Sequence, residues 1–131
     1  MDTNYLLDVA FNKRPFAEAA SQLFSLIARN NARGIITAST LKDFYFIARK
    51  SSSDKIRRDW IELFSDVLMV VPMSLEHVKL AVCSDEPDFE DGLMRAVAET
   101  QGCTYIISRD KKAFANSSIP KIDSVSYMNQ V

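Results

Sequence analysis

The chain has 131 residues, 47% of them apolar and 25% charged, with sixteen Lys and Arg against seventeen Asp and Glu. That length holds one domain with a real core, so the whole of residues 1–131 is expected to fold as a single domain rather than remain disordered. A formal charge of −1 excludes a basic coating over the entire surface and leaves local patches as the only cationic features. No apolar run nears the roughly 20 residues that span a bilayer, and Met1-Asp2-Thr3-Asn4 has no signal-peptide character. Two cysteines and one histidine, Cys83, Cys103 and His77, make neither a zinc quartet nor a disulfide framework. A soluble cytoplasmic protein is expected.

Tyr5, Leu6 and Val9 predict a short opening helix. Phe16, Ala20, Leu23, Phe24 and Ile27 predict a second over about 15–30, with Pro15 in its first turn. Leu41, Phe44, Tyr45 and Ala48 mark a third, capped by Ser39 or Thr40. Ile56, Trp60, Leu63, Phe64 and Val67 mark a fourth after the break Ser51-Ser52-Ser53-Asp54. A shorter helix carries Leu75, Val78 and Val82, and a last one carries Phe89, Leu93, Ala96, Val97 and Thr100 and ends near Gly102. Between them lie the runs Ile35–Ala38, Leu68–Val71 and Tyr105–Ser108, short and β-branched, as in strands covered on both faces. A further edge strand is expected around Ile122 to Val125. Helix and strand alternate, which predicts an α/β sandwich with a mainly parallel sheet. His77 is expected on a helix surface, and the two thiols as buried or inert.

Ligands of open parallel sheets gather at the carboxyl ends of strands. Asp2 precedes the opening helix, Asp43 lies one turn into the helix after the first strand, and Asp88, Glu90 and Asp91 open the last helix. Asp110 follows the strand Tyr105–Ser108. Oxygen ligands without nitrogen or sulfur suit Mg²⁺ or Mn²⁺ rather than zinc. Each acid has a bland explanation on its own. Asp88 with Asp91 reads as a helix cap, Thr40 with Asp43 likewise, Asp110 as a turn residue, and Asp2 as a terminal acid.

Their order and context resemble the PIN-domain nucleases. The run Asp2-Thr3-Asn4-Tyr5-Leu6-Leu7-Asp8 is similar to the opening motif of that family, and Lys13-Arg14-Pro15-Phe16 to the segment leading into its second helix. Thr37–Tyr45 bears the second acid as Asp43, Asp88–Leu93 the third, and Tyr105–Phe114 the last, a strand followed by Ser108-Arg109-Asp110. The resemblance runs from Met1 to about Phe114 and points to the bacterial branch containing VapC-type toxins. It implies a three-layer α/β/α sandwich with a central mainly parallel sheet and a Mg²⁺- or Mn²⁺-dependent ribonuclease. It further implies a homodimer silenced by a cognate antitoxin. Asp2, Asp43, Asp91 and Asp110 are then the catalytic acids, with Asp88 as an additional metal ligand and Asn4 and Ser108 in support. Arg109, Lys111, Lys112 and Arg14 are the expected RNA contacts. The alternative is a non-catalytic module of the same fold whose acidic groove receives a basic partner peptide.

Two departures stand out. The strand that precedes the leading Asp in the family is missing ahead of Met1, which leaves an α-amino group beside Asp2. The acid common just before the final Phe is Ala113 here. The expectation that carries the functional reading is that carboxylates from distant segments converge.

Overall fold

The computed structural model describes all 131 residues. Its elements, in order, are α1 (Thr3–Ala10), α2 (Ala17–Ala28), β1 (Ile35–Thr37), α3 (Ala38–Ala48) and α4 (Asp54–Val67). There follow β2 (Met69–Val71), α5 (Leu75–Val82), α6 (Phe89–Thr100), β3 (Ile106–Ile107), β4 (Lys121–Ile122) and α7 (Ser124–Asn129). Two compact units result: residues 1–72 with 124–131, and residues 73–123.

In the first unit β1 and β2 pair in parallel, Ile35 with Met69, Ile36 with Val70 and Thr37 with Val71. Helix α1 packs on α2 and α3, α3 on α4, and α2 on α7. Their apolar stripes meet in a core containing Leu6, Leu23, Ile36, Phe44 and Phe64, all fully buried. Phe64 is its hub: edge-on to Phe44 at 5.2 Å and to Phe24 at 5.8 Å, and stacked on Trp60 at 5.5 Å between ring centroids. Such ring pairs add to the area each ring buries. Gly34 is buried where β1 begins, and a Cβ there would come within 2.6 Å of Leu68 Cδ2 and 2.9 Å of Ile27 Cδ1. Close approach, not a turn, requires that glycine.

Helix ends follow the local chemistry. Asp2, Thr37, Ser53 and Asp88 cap α1, α3, α4 and α6 with side-chain oxygens that accept otherwise unpaired amides. The cap of α3 is thus Thr37, ahead of the expected Ser39 or Thr40. Helix α2 stops at a left-handed Asn30, whose amide donates to Ile27 O while that of Asn31 reaches Leu26 O. Helix α6 ends the same way on Gly102, with Cys103 N bonded to Ala98 O.

In the second unit α5 packs on α6, and β3 pairs in parallel with β4, Ile106 with Lys121 and Ile107 with Ile122. A small core of Ala98, Ile106, Ala113 and Phe114 lies there, joined by Met94, Cys103 and Ile119.

All six expected helices and the three expected strands are present, and every strand pairing is parallel. Four details differ. The strand expected at 122–125 is shorter and earlier, and the residues after it form the unexpected helix α7. Six residues, with Val125 exposed and Ser124 buried, carry too little periodicity to announce a helix. The run Leu68–Val71 is not covered on both faces: Met69 is 50% exposed and Val70 39%. His77 is buried rather than on the surface. Its Nδ1 accepts from Ser74 N at 2.9 Å and its Nε2 lies 2.9 Å from Thr100 Oγ1, which pins α5 to α6 and gives the ring no spare donor or acceptor. Cys83, the cap residue that follows α5, is exposed and Cys103 is half-buried, so neither thiol is fully buried.

Replacing Phe64 by Ala should destabilise the protein by about 3–5 kcal/mol through the cavity left among three rings. The same change at Phe46, 61% exposed, should cost less than about 1 kcal/mol. Urea unfolding of the two variants compares them directly.

Candidate functional site

Each unit holds part of the set singled out above. In the first, Asp2 sits at the N-terminus of α1 and its Oδ1 accepts from Tyr5 N at 3.0 Å. Asp43 is half-buried on α3, 3.6 Å from Lys42 Nζ. Asn4 and Arg14 are bonded directly, and Arg14 is also paired with Asp8. Asp8 is buried, and its Oδ1 accepts from Arg14 Nε at 2.6 Å, while Arg14 Nη2 donates to Asn4 Oδ1 at 3.1 Å. The pair satisfies a buried carboxylate and commits the Arg14 guanidinium to the fold. Asp8 closes the run that resembles the family's opening motif, but its burial and its pairing with Arg14, six residues on, leave no signal in the sequence.

In the second unit three of the predicted acids are neighbours. Asp88 Oδ1 accepts from Asp91 N at 2.8 Å, closing the first turn of α6. Asp110 lies in the turn after β3. Its Oδ1 accepts from the amides of Lys112 at 2.8 Å and Ala113 at 2.9 Å, and its own amide donates to the buried Ser108 Oγ at 3.2 Å. Those two amides, with the nearby Lys121 and Lys112 charges, hold the Asp110 carboxyl below its ordinary value. Lys121 Nζ also donates to the carbonyls of Asp110 and Ala113, the latter at 2.8 Å, so the turn is fixed from both sides. Lys111 and Lys112 project from it exposed, and Arg109 is half-buried.

Asp91 behaves in the opposite sense. Its carboxyl is pushed up to about 6, first by partial burial and then by the negative charges of Asp88, Asp110 and Glu86. A half-buried acid faces three other acids without a cation of its own. The fourth, Glu86, is absent from the sequence reading. Its side chain is only 2% exposed, yet in Ser84-Asp85-Glu86-Pro87 it reads as an ordinary polar loop residue.

Whether these residues suit a divalent cation can be judged from their chemistry. They offer hard carboxylate oxygens, no nitrogen and no sulfur, and their mutual repulsion is what a small dication relieves. No three His, Cys, Asp or Glu side chains stand close enough together to hold one ion between them. Mg²⁺ commonly takes only one or two carboxylates and keeps several waters, so the donor set fits without a closed cage.

Comparison with known sequences places this arrangement in context. The sequence model of the PIN domain matches residues 1–112. The chain is a member of the PIN domain family. This PIN domain is similar to Ribonuclease VapC1 of Aquifex aeolicus (strain VF5), 22% identical over 120 residues that span 88% of this chain and 83% of that protein. In three dimensions it is similar to the crystal structure of Mycobacterium tuberculosis VapC20, described as a sarcin-ricin loop cleaving toxin. The TM-score is 0.68 at 14% identity, covering 83% of this chain and 87% of that one. At that identity the likeness speaks for the fold, an α/β PIN fold with parallel strands.

Asp91 has a consequence for pH. Because its folded-state pKa is raised, its contribution favours folding most below about pH 4 and is lost as pH rises through about 6. Asp91→Asn should therefore stabilise the metal-free PIN domain by about 1 kcal/mol at pH 7, after allowance for solvent screening. It should add nothing at pH 4. Thermal unfolding at the two pH values, with chelator present, reads the difference.

Proposed function

We propose that this PIN domain is a Mg²⁺- or Mn²⁺-dependent endoribonuclease acting on single-stranded or structured RNA, the toxin of a toxin–antitoxin pair. The observation that carries the reading is that Asp91, in the first turn of α6, lies within reach of the charges of Asp88 and of Asp110, on the turn after β3, within one compact unit. Family membership and the named ribonuclease relative support the same reading. When bound, a divalent ion supplies charge neutralisation for the oxygens of a phosphodiester undergoing hydrolysis.

The chain's own residues have separable tasks in this scheme. Asp110 is kept ionised and fixed in direction by two backbone amides, so it serves as a ready ligand without reorganising. Asp91 holds a proton up to about pH 6 and must release it for the cation to bind well. Asp88 holds Asp91 in register through the cap of α6, and Ser108 supports Asp110 from below. The resemblance extends the set to Asp2 and Asp43. Lys111, Lys112 and Arg109, adjoining Asp110 in sequence, would hold RNA phosphates. Arg14 contributes to that surface only with the part of its charge that Asp8 leaves uncompensated.

The same reading includes a homodimer, a cytoplasmic location and a cognate antitoxin that covers the acids. No helix is long and apolar enough to cross a membrane.

The test is cleavage of single-stranded RNA with Mg²⁺ or Mn²⁺, with chelator as control. Asp91→Asn and Asp110→Asn should each lower the rate by at least about 100-fold, and Asp2→Asn and Asp43→Asn should also lower it. Folded protein that neither binds Mn²⁺ nor cuts RNA would instead be a non-catalytic binding module whose acidic face takes a basic peptide.

A further inference from the structure

The turn that carries Asp110 is not held by its own residues alone. Phe114, at its far end, has a left-handed backbone with φ of 66°, a conformation that a bulky residue adopts only when its surroundings impose it. Its amide donates to Glu86 Oε1 at 2.6 Å. Glu86 comes from the segment between α5 and α6, two residues before Asp88. Its other oxygen accepts from Arg95 Nη1 at 3.0 Å, and Arg95 Nη2 donates to Asn116 O at 2.9 Å, on the same stretch of chain as Phe114.

We propose that Glu86 is a positioning residue that fastens the Asp110 turn to the start of α6 and so sets the separation between Asp110 and the Asp88/Asp91 pair. The inference rests on the proposed reading that acids of this group, one or two of them at a time, hold the cation. Several observations converge on the role. The side chain is inaccessible, so it is not offered to solvent or substrate. Both of its oxygens are engaged, one by an amide and one by a guanidinium, so the carboxylate is already committed to the fold. Its two partners lead in different directions, Phe114 into the Asp110 turn and Arg95 into α6. Ala113, next to Phe114, bears no carboxylate, and the one that meets this end of the turn is supplied by Glu86. The other side-chain bonds near that end fall on its neighbours: Lys121 Nζ on Ala113 O, and Arg95 and Asp85 on Asn116.

Position and charge can be separated with two conservative variants of the full chain. Glu86→Asp keeps the charge but is one methylene too short to reach Phe114 N. Glu86→Gln gives up the charge but keeps an oxygen at the same reach. Two readouts apply to both: hydrogen exchange at the Phe114 amide, referenced to the Cys103 amide in the same unit, and Mn²⁺ affinity by calorimetry. Glu86→Asp should speed Phe114 exchange by about 10-fold or more and weaken Mn²⁺ binding by about 10-fold. Glu86→Gln should stay within about 3-fold of the parent in both. The opposite ranking, with Gln weak and Asp like the parent, would make Glu86 a source of charge and overturn the proposal. So would unchanged Phe114 exchange in Glu86→Asp. If the parent chain itself takes up no Mn²⁺, the cation reading of the three acids fails, and the exchange comparison still decides whether Glu86 fastens the turn.

Discussion

Like charge gathered at one end of α6 is the constraint on which the functional account depends. Asp88, Asp91, Asp110 and Glu86 are brought close by the fold, and the first, third and fourth each accept a backbone amide there. Glu86 has Arg95 and the Phe114 amide, and Asp110 has two amides and a lysine nearby. Asp91 has none of these and accordingly holds its proton to about pH 6. A protein selected for stability alone would gain by placing an asparagine there. Retaining an acid where it disfavours the folded state fits a site that is completed by a cation.

The arrangement also shows how one residue can satisfy two explanations at once. Asp88 is a helix cap, as the bland reading holds, and its Oδ1 is engaged with Asp91 N. Capping leaves its second oxygen outside that bond and fixes the direction of the carboxylate, which is what a ligand needs. Asp110 is likewise a turn residue whose Oδ1 organises the chain that follows it. In both cases the local bond that makes the residue look structural is what holds it in place for chemistry.

Much of this was legible in the sequence because helical stripes and β-branched runs report their own burial. Phe44 and Phe64 fall on their expected stripes and are fully buried, and Ile36 sits in its expected strand. The acids were legible as a set only through their order along the chain, since Asp88 or Asp110 taken alone matches any cap or turn. What escaped lacked periodic or local signal. Asp8 and Glu86 are acids whose importance comes from burial and from partners 6 and 28 residues away. His77 was read as exposed because a lone histidine on a short helix does not announce the Ser74 and Thr100 bonds that bury it. Helix α7 is too short to show a period, and the run Leu68–Val71 does not encode the exposure of its Met69 and Val70.

The most direct measurement of the central claim is the titration of the Asp91 carboxyl carbon by NMR, without divalent metal and again with excess Mg²⁺. The account predicts a midpoint near 6 in the metal-free protein and a clear fall when Mg²⁺ is present, because cation and proton compete for the same oxygens. A midpoint near 4 under both conditions would contradict it.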